Sequence, residues 1–353
     1  MSPPHRILAV NPGSTSTKIA LFDDESLLSA ETMRHDTATL RRFGRIWDQF
    51  EVRLQAVREW TLARTDRAAA VVGMGGLLRP LQGGTYRVNE RMLADARANL
   101  QGEHASNLGC ALADAMAREL SGVAFVADPV SVDEFEPLAR YSGHPLIHRS
   151  SLSHALNLHA AAARAAAELN LALGRSSLVV AHLGGGISVA PIRGGRIIDI
   201  NDASSDGPFS PERTGGLPLQ QFITLCFSGS RTEQDLRKLV MGQGGLTAYL
   251  GTNSAQVVED RIQQGDAAAR EVYEAMAYQI AKEIGAMAVV LRGEVQAIVL
   301  TGGLAGSSML TGWIAERVRF IAPVVVYPGE DEMRSLALAA LRVLRGEAES
   351  PVY

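Results

Sequence analysis

The sequence predicts an α/β protein made of two similarly built halves, and three observations carry that expectation. Short apolar runs alternate with longer stretches rich in Ala, Leu, Glu and Arg, the alternation expected of strands and helices layered in one fold. The apolar run at 7–10 breaks into Asn11-Pro12-Gly13-Ser14-Thr15-Ser16-Thr17-Lys18 and resumes at 19–22, which reads as strand, polar turn, strand. The same plan returns near residue 180, where the run at 178–181 passes through His182-Leu183-Gly184-Gly185-Gly186 into 187–190 and then, through Arg193-Gly194-Gly195-Arg196, into a third strand.

In chain order, further strands are expected at 69–72, 123–126, 187–191, 197–200, 297–300 and 324–327, each a short run of Val, Ile, Leu or Ala. Helices are expected at 90–100, 107–120, 154–173, 267–291 and 333–344, where good helix formers recur with apolar spacing. A third glycine cluster, Thr301-Gly302-Gly303-Leu304-Ala305-Gly306-Ser307, follows the 297–300 strand. Small residues there let backbone approach a flat ring or a phosphate. A tight strand-to-helix connection without a ligand is the alternative.

The turn at 11–18 can aim backbone N–H groups, several hydroxyls and the Lys18 ammonium at one point, which suits a multiply charged phosphate. It is not a P-loop, because that pattern needs a glycine just before the lysine, a Ser or Thr just after it and a following helix. Here Thr17 and Ile19 flank Lys18, and a strand-like run follows. A plain hairpin turn built from the same residue types is the alternative.

Length and composition narrow the classes. The 353 residues suit about two domains. Hydrophobic residues make up 46%, charged residues 20%, and the mean hydropathy is +0.04. A net charge of −4 and a pI of about 6.1 give no basic surplus for nucleic acid or an anionic membrane. Cys110 and Cys226 are too few for a disulfide framework or a CxxC metal site. The N-terminus shows no signal-peptide pattern and no apolar run reaches membrane-spanning length, so a cytoplasmic protein with a small-molecule partner is expected.

The segments NPGSTSTK, GGTYRVNE, GEHASNLG, DPVSVDEF, HLGGGIS, GPFSPERTGG, LTGGLAGSS and FIAPVVVYPGEDE closely resemble the butyrate kinase family, the short-chain branch of the acetate kinases, over essentially the whole chain. The resemblance implies a duplicated actin-like ATPase fold, ribonuclease H-like in each half, with mixed sheets flanked by helices and ATP in the cleft between two domains. It implies a first domain of 1–145 plus 333–353, to which the last helix returns, and a nucleotide-binding domain of 146–332. It also implies transfer of the ATP γ-phosphoryl group to a short-chain carboxylate, giving an acyl phosphate and ADP, with Mg²⁺ as cofactor and a homo-oligomer of at least two chains.

Residue by residue, the resemblance assigns Asp128, His154 and Arg213 to catalysis. It assigns Asn11, Ser14, Ser16, Lys18, His182, Gly184, Gly185 and Gly186 to phosphate contacts. Gly303, Leu304 and Ser307, with 253–256 less securely, would line the adenine and ribose. Asn11, Asp128, Asp331 and Glu332 would serve the metal, the register within Glu330-Asp331-Glu332 being open. Two positions depart from the pattern: Met74 stands where the family usually has an arginine for the substrate carboxylate, and Ser153 stands where an aromatic commonly lines the acyl pocket. Arg79 is the nearby cation that could replace the missing guanidinium. These departures keep open a catalytically weak or non-catalytic nucleotide-binding member, or a kinase for acetate or another small acid.

Overall fold

The structure is a computed structural model that describes residues 3–329 and 331–353. It divides into two compact units, one holding the described residues up to Asp133 together with Asp331–Tyr353, the other those from Glu134 onward that lie between.

The first unit is built on six strands, β1 (Arg6–Pro12), β2 (Ser16–Asp23), β3 (Ser26–Arg34), β4 (Ala70–Met74), β5 (Thr85–Arg87) and β6 (Val123–Ala127). Their order is β3-β2-β1-β4-β6-β5. The first three form an antiparallel meander, β4 and β6 run parallel to β1, and β5 closes the edge antiparallel to β6. Period-2 alternation sends Leu8, Val10, Ile19, Leu21 and Val71 to one face. There they pack with Leu54, Val57 and Trp60 of the helix Phe50–Leu62 and with Leu112 and Met116 of the helix Gly109–Glu119. The helix Glu332–Leu344 packs on β1, β4 and β6 and buries Leu336, Ala337, Ala340 and Leu341.

The second unit holds β7 (Ser177–Leu183), β8 (Ile187–Arg193), β9 (Arg196–Ile197), β10 (Ala297–Gly302) and β11 (Val324–Pro328), in the order β11-β10-β7-β8-β9. Here too a three-stranded antiparallel meander is followed by two strands parallel to its first member. Val179, Val189, Ile298 and Leu300 meet Tyr273, Met276, Ile280 and Ile284 of the helix Ala267–Val290 and Leu310 and Ile314 of the helix Ser308–Val318. The helix Ala155–Glu168 lies against β7 and β10.

Several expected elements differ in extent. The helix at 90–100 ends at Ala98 because Asn99 turns left-handed at φ 53°. The strand at 197–200 keeps only Ile197, since the Ile200 N–H is taken by the Asp199 carboxylate at 2.7 Å. The strands β3 and β5 and several helices, among them Phe50–Leu62, Leu219–Cys226, Ala255–Gln263 and Ser308–Val318, are additions to the expected set.

Strand register sets the functional edge of the first unit. Val10 pairs with Gly73 and Met74 with Ala127, so the C-terminal ends of β1, β4 and β6 stand level. Asn11, Met74 and Ala127 therefore stand level, and Asp128 follows as the next residue beyond the end of β6. In open sheets this end of the parallel strands is where ligands gather.

The level of Met74 depends on two glycines. A Cβ on Gly109 would stand 1.9 Å from the Met74 carbonyl oxygen, and one on Gly73 would stand 2.2 Å from that of Gly109. Backbone is thus packed on backbone where the helix Gly109–Glu119 begins. Gly109→Ala is expected to lower stability in urea unfolding by about 1–3 kcal/mol, the usual range for overpacking. Gly285→Ala, inside a helix with nothing within 4 Å of the added methyl, is expected to raise it by up to about 1 kcal/mol.

Candidate active site

In the first unit the 11–18 turn is closed by the Gly13 N–H donating to the Ser16 carbonyl at 2.8 Å. Asn11 and Lys18 are cross-strand partners, and both reach Glu332. The Asn11 amide donates to Glu332 Oε2 at 2.8 Å and the Lys18 ammonium to the same oxygen at 3.0 Å. The Lys18 side chain is 41% exposed and that of Glu332 13%, a setting in which an ion pair adds only about 0–1 kcal/mol of stability. Its larger effect is to hold an amide and an ammonium at one place. Ser14 and Thr15 lie exposed at the tip, and Ser16 is half-buried.

Asp128 ends β6 with φ +37°, in the left-handed region although it precedes Pro129. Proline pushes its predecessor toward extended backbone and non-glycine residues avoid positive φ, so this carboxylate is held in a strained turn. Gly84 clamps it: its N–H donates to Asp128 Oδ1 at 2.7 Å, and its carbonyl accepts the Asp128 N–H at 2.9 Å.

Met74 is buried at the end of β4. Arg79 is engaged elsewhere, its Nε and Nη2 donating to the two oxygens of Asp95 at 2.5 and 3.0 Å while the Tyr353 hydroxyl joins the same carboxylate at 3.1 Å. Of the acidic run, Glu332 meets Asn11 and Lys18, Asp331 is exposed ahead of the last helix, and Glu330 lies outside the described residues.

In the second unit the bend of the β7–β8 hairpin carries Gly184, Gly185 and Gly186, with the Gly184 N–H donating to the Gly186 carbonyl at 3.2 Å. His182 and Ser188 face each other across the hairpin. The His154 ring, at the start of the helix Ala155–Glu168, bonds the Ser188 hydroxyl through Nδ1 at 2.9 Å and stacks on His182 with centroids 4.3 Å apart. His154, His182 and the glycine bend therefore share one end of the sheet.

Arg213 joins them. A Cβ on Gly186 would stand 2.4 Å from Arg213 Nη1, so a side chain there would push the guanidinium from its present place. Nη1 donates to the Ala203 carbonyl at 3.1 Å, and Ser210 ties the two loops by donating to Gly185 O at 2.6 Å. Burial draws the Arg213 pKa down, with Glu212 and Asp202 opposing. Arg213 Nε, Ser153 Oγ and Asp206 Oδ1 are buried polar atoms without a hydrogen-bond partner among the described residues. Most buried polar atoms find a protein or water partner, so each exception needs an explanation.

At the third glycine cluster, Gly302 adopts φ 97° against the Leu183 backbone, and a Cβ on exposed Gly303 would meet nothing within 4 Å. Leu304 is half-buried, and Ser307 caps the helix Ser308–Val318 by accepting the Leu310 N–H at 2.9 Å. Asn253 reaches Glu212 at 3.3 Å.

Three contributors are given no role by the sequence reading: Ser188, although it ends the segment HLGGGIS, Asp206 and Arg53. Arg53 falls on the buried stripe Arg53-Val57-Trp60-Thr61 of its helix, and an arginine on an apolar stripe is the signal that could have marked it.

No group of three His, Cys, Asp or Glu side chains able to hold a metal occurs among the described residues. A Mg²⁺ carried by nucleotide phosphates keeps several waters and needs only one or two carboxylates. The oxygens of Asp128 and Glu332 fit that demand in kind and number.

The acetokinase family model matches residues 148–319. The chain is 49% identical to a probable butyrate kinase 2 of Caldanaerobacter subterraneus subsp. tengcongensis over 351 residues, 99% of each chain. It is 47% identical to butyrate kinase 2 of Clostridium acetobutylicum over 355 residues, again 99% of each. Among solved structures it resembles the acetate kinase of Porphyromonas gingivalis, with a TM-score of 0.78, 17% identity and coverage of 96% of this chain and 100% of that one. It also resembles a propionate kinase of Francisella tularensis subsp. tularensis SCHU S4, with a TM-score of 0.73, 16% identity and coverage of 95% and 98%. These structural likenesses speak to fold, which is the acetate kinase-like, actin-like ATPase architecture with two mixed sheets flanked by helices.

Burial, and then the nearby Asp202, push the Asp206 carboxyl from 3.8 up to about 6. Between those values the folded state holds more protons than the unfolded chain, so stability falls as pH rises through that window and is level above it. Asp206→Asn is expected to raise the melting temperature at pH 7.5 while matching the native protein near pH 4. An equal difference at both pH values would show that the carboxyl is not shifted.

Proposed function

The chain belongs to the acetokinase family, and on that premise we propose that it moves the γ-phosphoryl group of ATP, reversibly, to the carboxylate of a short-chain acid, butyrate or a branched relative, giving an acyl phosphate and ADP. The acceptor is already an anion at neutral pH and needs no general base. The task is to hold two anions in line and to neutralise charge spreading over the equatorial phosphoryl oxygens. Positive charge and N–H donors, not a base, are therefore the features to look for.

The observation that carries this reading is the Arg213 guanidinium seated against Gly186 of the glycine bend, with its Nε buried and unpartnered among the described residues. A planar fork with a donor to spare suits three phosphoryl oxygens. His154, oriented through Nδ1 by Ser188, would present its other ring nitrogen to the same group. Asn11, Ser14, Ser16 and Lys18 are proposed to hold phosphates, as are His182 and Gly184 to Gly186. Gly303, Leu304 and Ser307 would take the base and sugar.

When bound, Mg²⁺ would offset charge on the phosphates, and Asp128 and Glu332, with Asn11 and Asp331, are proposed to hold it or its waters. The strained, clamped geometry of Asp128 and the shared contact of Asn11 and Lys18 at Glu332 support this assignment.

Met74 and Ser153 are proposed to line the acyl pocket. A thioether offers dispersion but no charge, and Arg79 would serve the acid only by leaving Asp95. The carboxylate is thus left to share cations with the phosphoryl group. Among the described residues no helix is long and apolar enough to cross a membrane. A cytoplasmic homo-oligomer of two or more chains is proposed, supported by the exposed Leu219, Ile223 and Phe227 about the helix Leu219–Cys226.

The test is acyl hydroxamate formation from C2 to C6 acids with MgATP and hydroxylamine. Turnover with butyrate or a branched acid is expected, and no product from any acid of the panel would refute the proposal. In an active protein, Arg213→Ala is expected to lower kcat by about 10³-fold or more with MgATP still bound. Met74→Arg is expected to lower the KM for butyrate, and an unchanged KM would remove position 74 from the acid site.

A further inference from the structure

Behind the 11–18 turn lies a side chain that the reaction as proposed leaves unexplained. Arg53 is wholly buried at 0% exposure in the helix Phe50–Leu62. Its Nη2 donates to the Ser14 carbonyl at 3.1 Å, and its Nη1 to the Ser16 carbonyl at 3.0 Å and to Thr17 Oγ1 at 3.2 Å. Its Nε and Nη2 donate to Gln49 Oε1 at 3.2 and 2.9 Å. These contacts match all five N–H groups of a guanidinium, and every acceptor is neutral.

Among the described residues no carboxylate pairs with it. Burial alone sets the direction of its pKa, which is downward, with no acidic group pulling it back. A titratable neighbour, His35, bonds Thr17 Oγ1 at 2.8 Å and is held below its ordinary pKa by burial and by Arg53 itself, so it adds no negative charge. An arginine remains protonated in such a place. A buried, uncompensated cation is normally destabilising, and hydrogen bonds to backbone carbonyls only partly offset it.

Its position against the turn gives that charge a use. A trans peptide points C=O and N–H in opposite directions, so drawing the Ser14 carbonyl inward turns the Thr15 N–H toward the exposed tip. The guanidinium also places a full positive charge directly beneath the residues read as the phosphate grip, in an interior where charge is poorly screened.

We propose that Arg53 is a positioning residue of the phosphate grip, its unneutralised guanidinium holding the Ser14 and Ser16 carbonyls inward and sustaining a positive potential under the turn that favours a polyphosphate anion. The inference rests on the reading of that turn as a phosphate site. Gln49 belongs to the device, because it accepts two N–H groups without cancelling the charge.

Gln49→Glu tests it. The substitution keeps shape and acceptor but gives Arg53 a carboxylate partner. The melting temperature is expected to hold or rise, while the Kd for MgATP from calorimetry rises about tenfold, as loss of one poorly screened charge implies. A purely structural role moves stability alone, so a folded Gln49→Glu protein with native Kd overturns the proposal. Should that variant not fold, Arg53→Lys and Arg53→Met decide the matter: the lysine is expected to keep affinity within about threefold and the methionine to lose about tenfold. Equal affinities for the two would contradict the charge's role. A native protein that binds no MgATP overturns the phosphate site and this inference together. One that binds MgATP but phosphorylates no acid overturns only the proposed reaction.

Discussion

A carboxylate and the terminal phosphate of ATP repel each other, so a protein that joins them has to set out positive charge and N–H groups before either arrives. That constraint is visible in each unit. Lys18 and the Asn11 amide are gathered on one oxygen of Glu332, Arg53 is buried without a counter-charge among the described residues, and Arg213 is seated against the glycine bend at Gly186. Fixed donors of this kind need little reorganisation as charge moves, which is why electrostatic stabilisation usually contributes more to such catalysis than any other effect.

The scaffold explains how few residues achieve this. Each unit repeats an antiparallel meander followed by two parallel strands, and in each the first hairpin carries a polar or glycine-rich bend at the sheet end where the parallel strands finish. In the first unit the level ends of β1, β4 and β6 bring Asn11, Met74 and Ala127 into one row, with Asp128 the next residue on. Backbone contact between Gly109 and Met74 fixes the middle member of that row. Backbone packing thus helps to set where a carboxylate and an amide stand relative to one another.

Much of this was legible in the sequence, for identifiable reasons. Turns that must bend tightly use Gly, Ser, Thr and Asn, so the bends at 11–18 and 184–186 stood out between apolar runs. Arg213 is marked by its place in the segment GPFSPERTGG, whose resemblance to the family assigns it to catalysis. Other features have no local mark. The strand β3 is largely exposed, so no apolar run announces it. The bond of His154 to Ser188 joins residues 34 apart in the chain, and the engagement of Arg79 by Asp95 depends on the packing of a separate helix. Arg53 carries one local mark, its place on the apolar stripe of its helix, but the turn that it supports is set only by the fold. Asp206 becomes a shifted acid only through its burial and the nearness of Asp202.

The central claim is that the bend at 11–18, and with it the one at 184–186, receives nucleotide phosphates on prearranged donors. Backbone hydrogen exchange followed by mass spectrometry, with and without saturating MgADP, addresses it directly. Slowed exchange is expected in peptides covering residues 11–18 and 182–188. Nucleotide binding that leaves both segments exchanging at their original rates, with protection confined elsewhere, would contradict it.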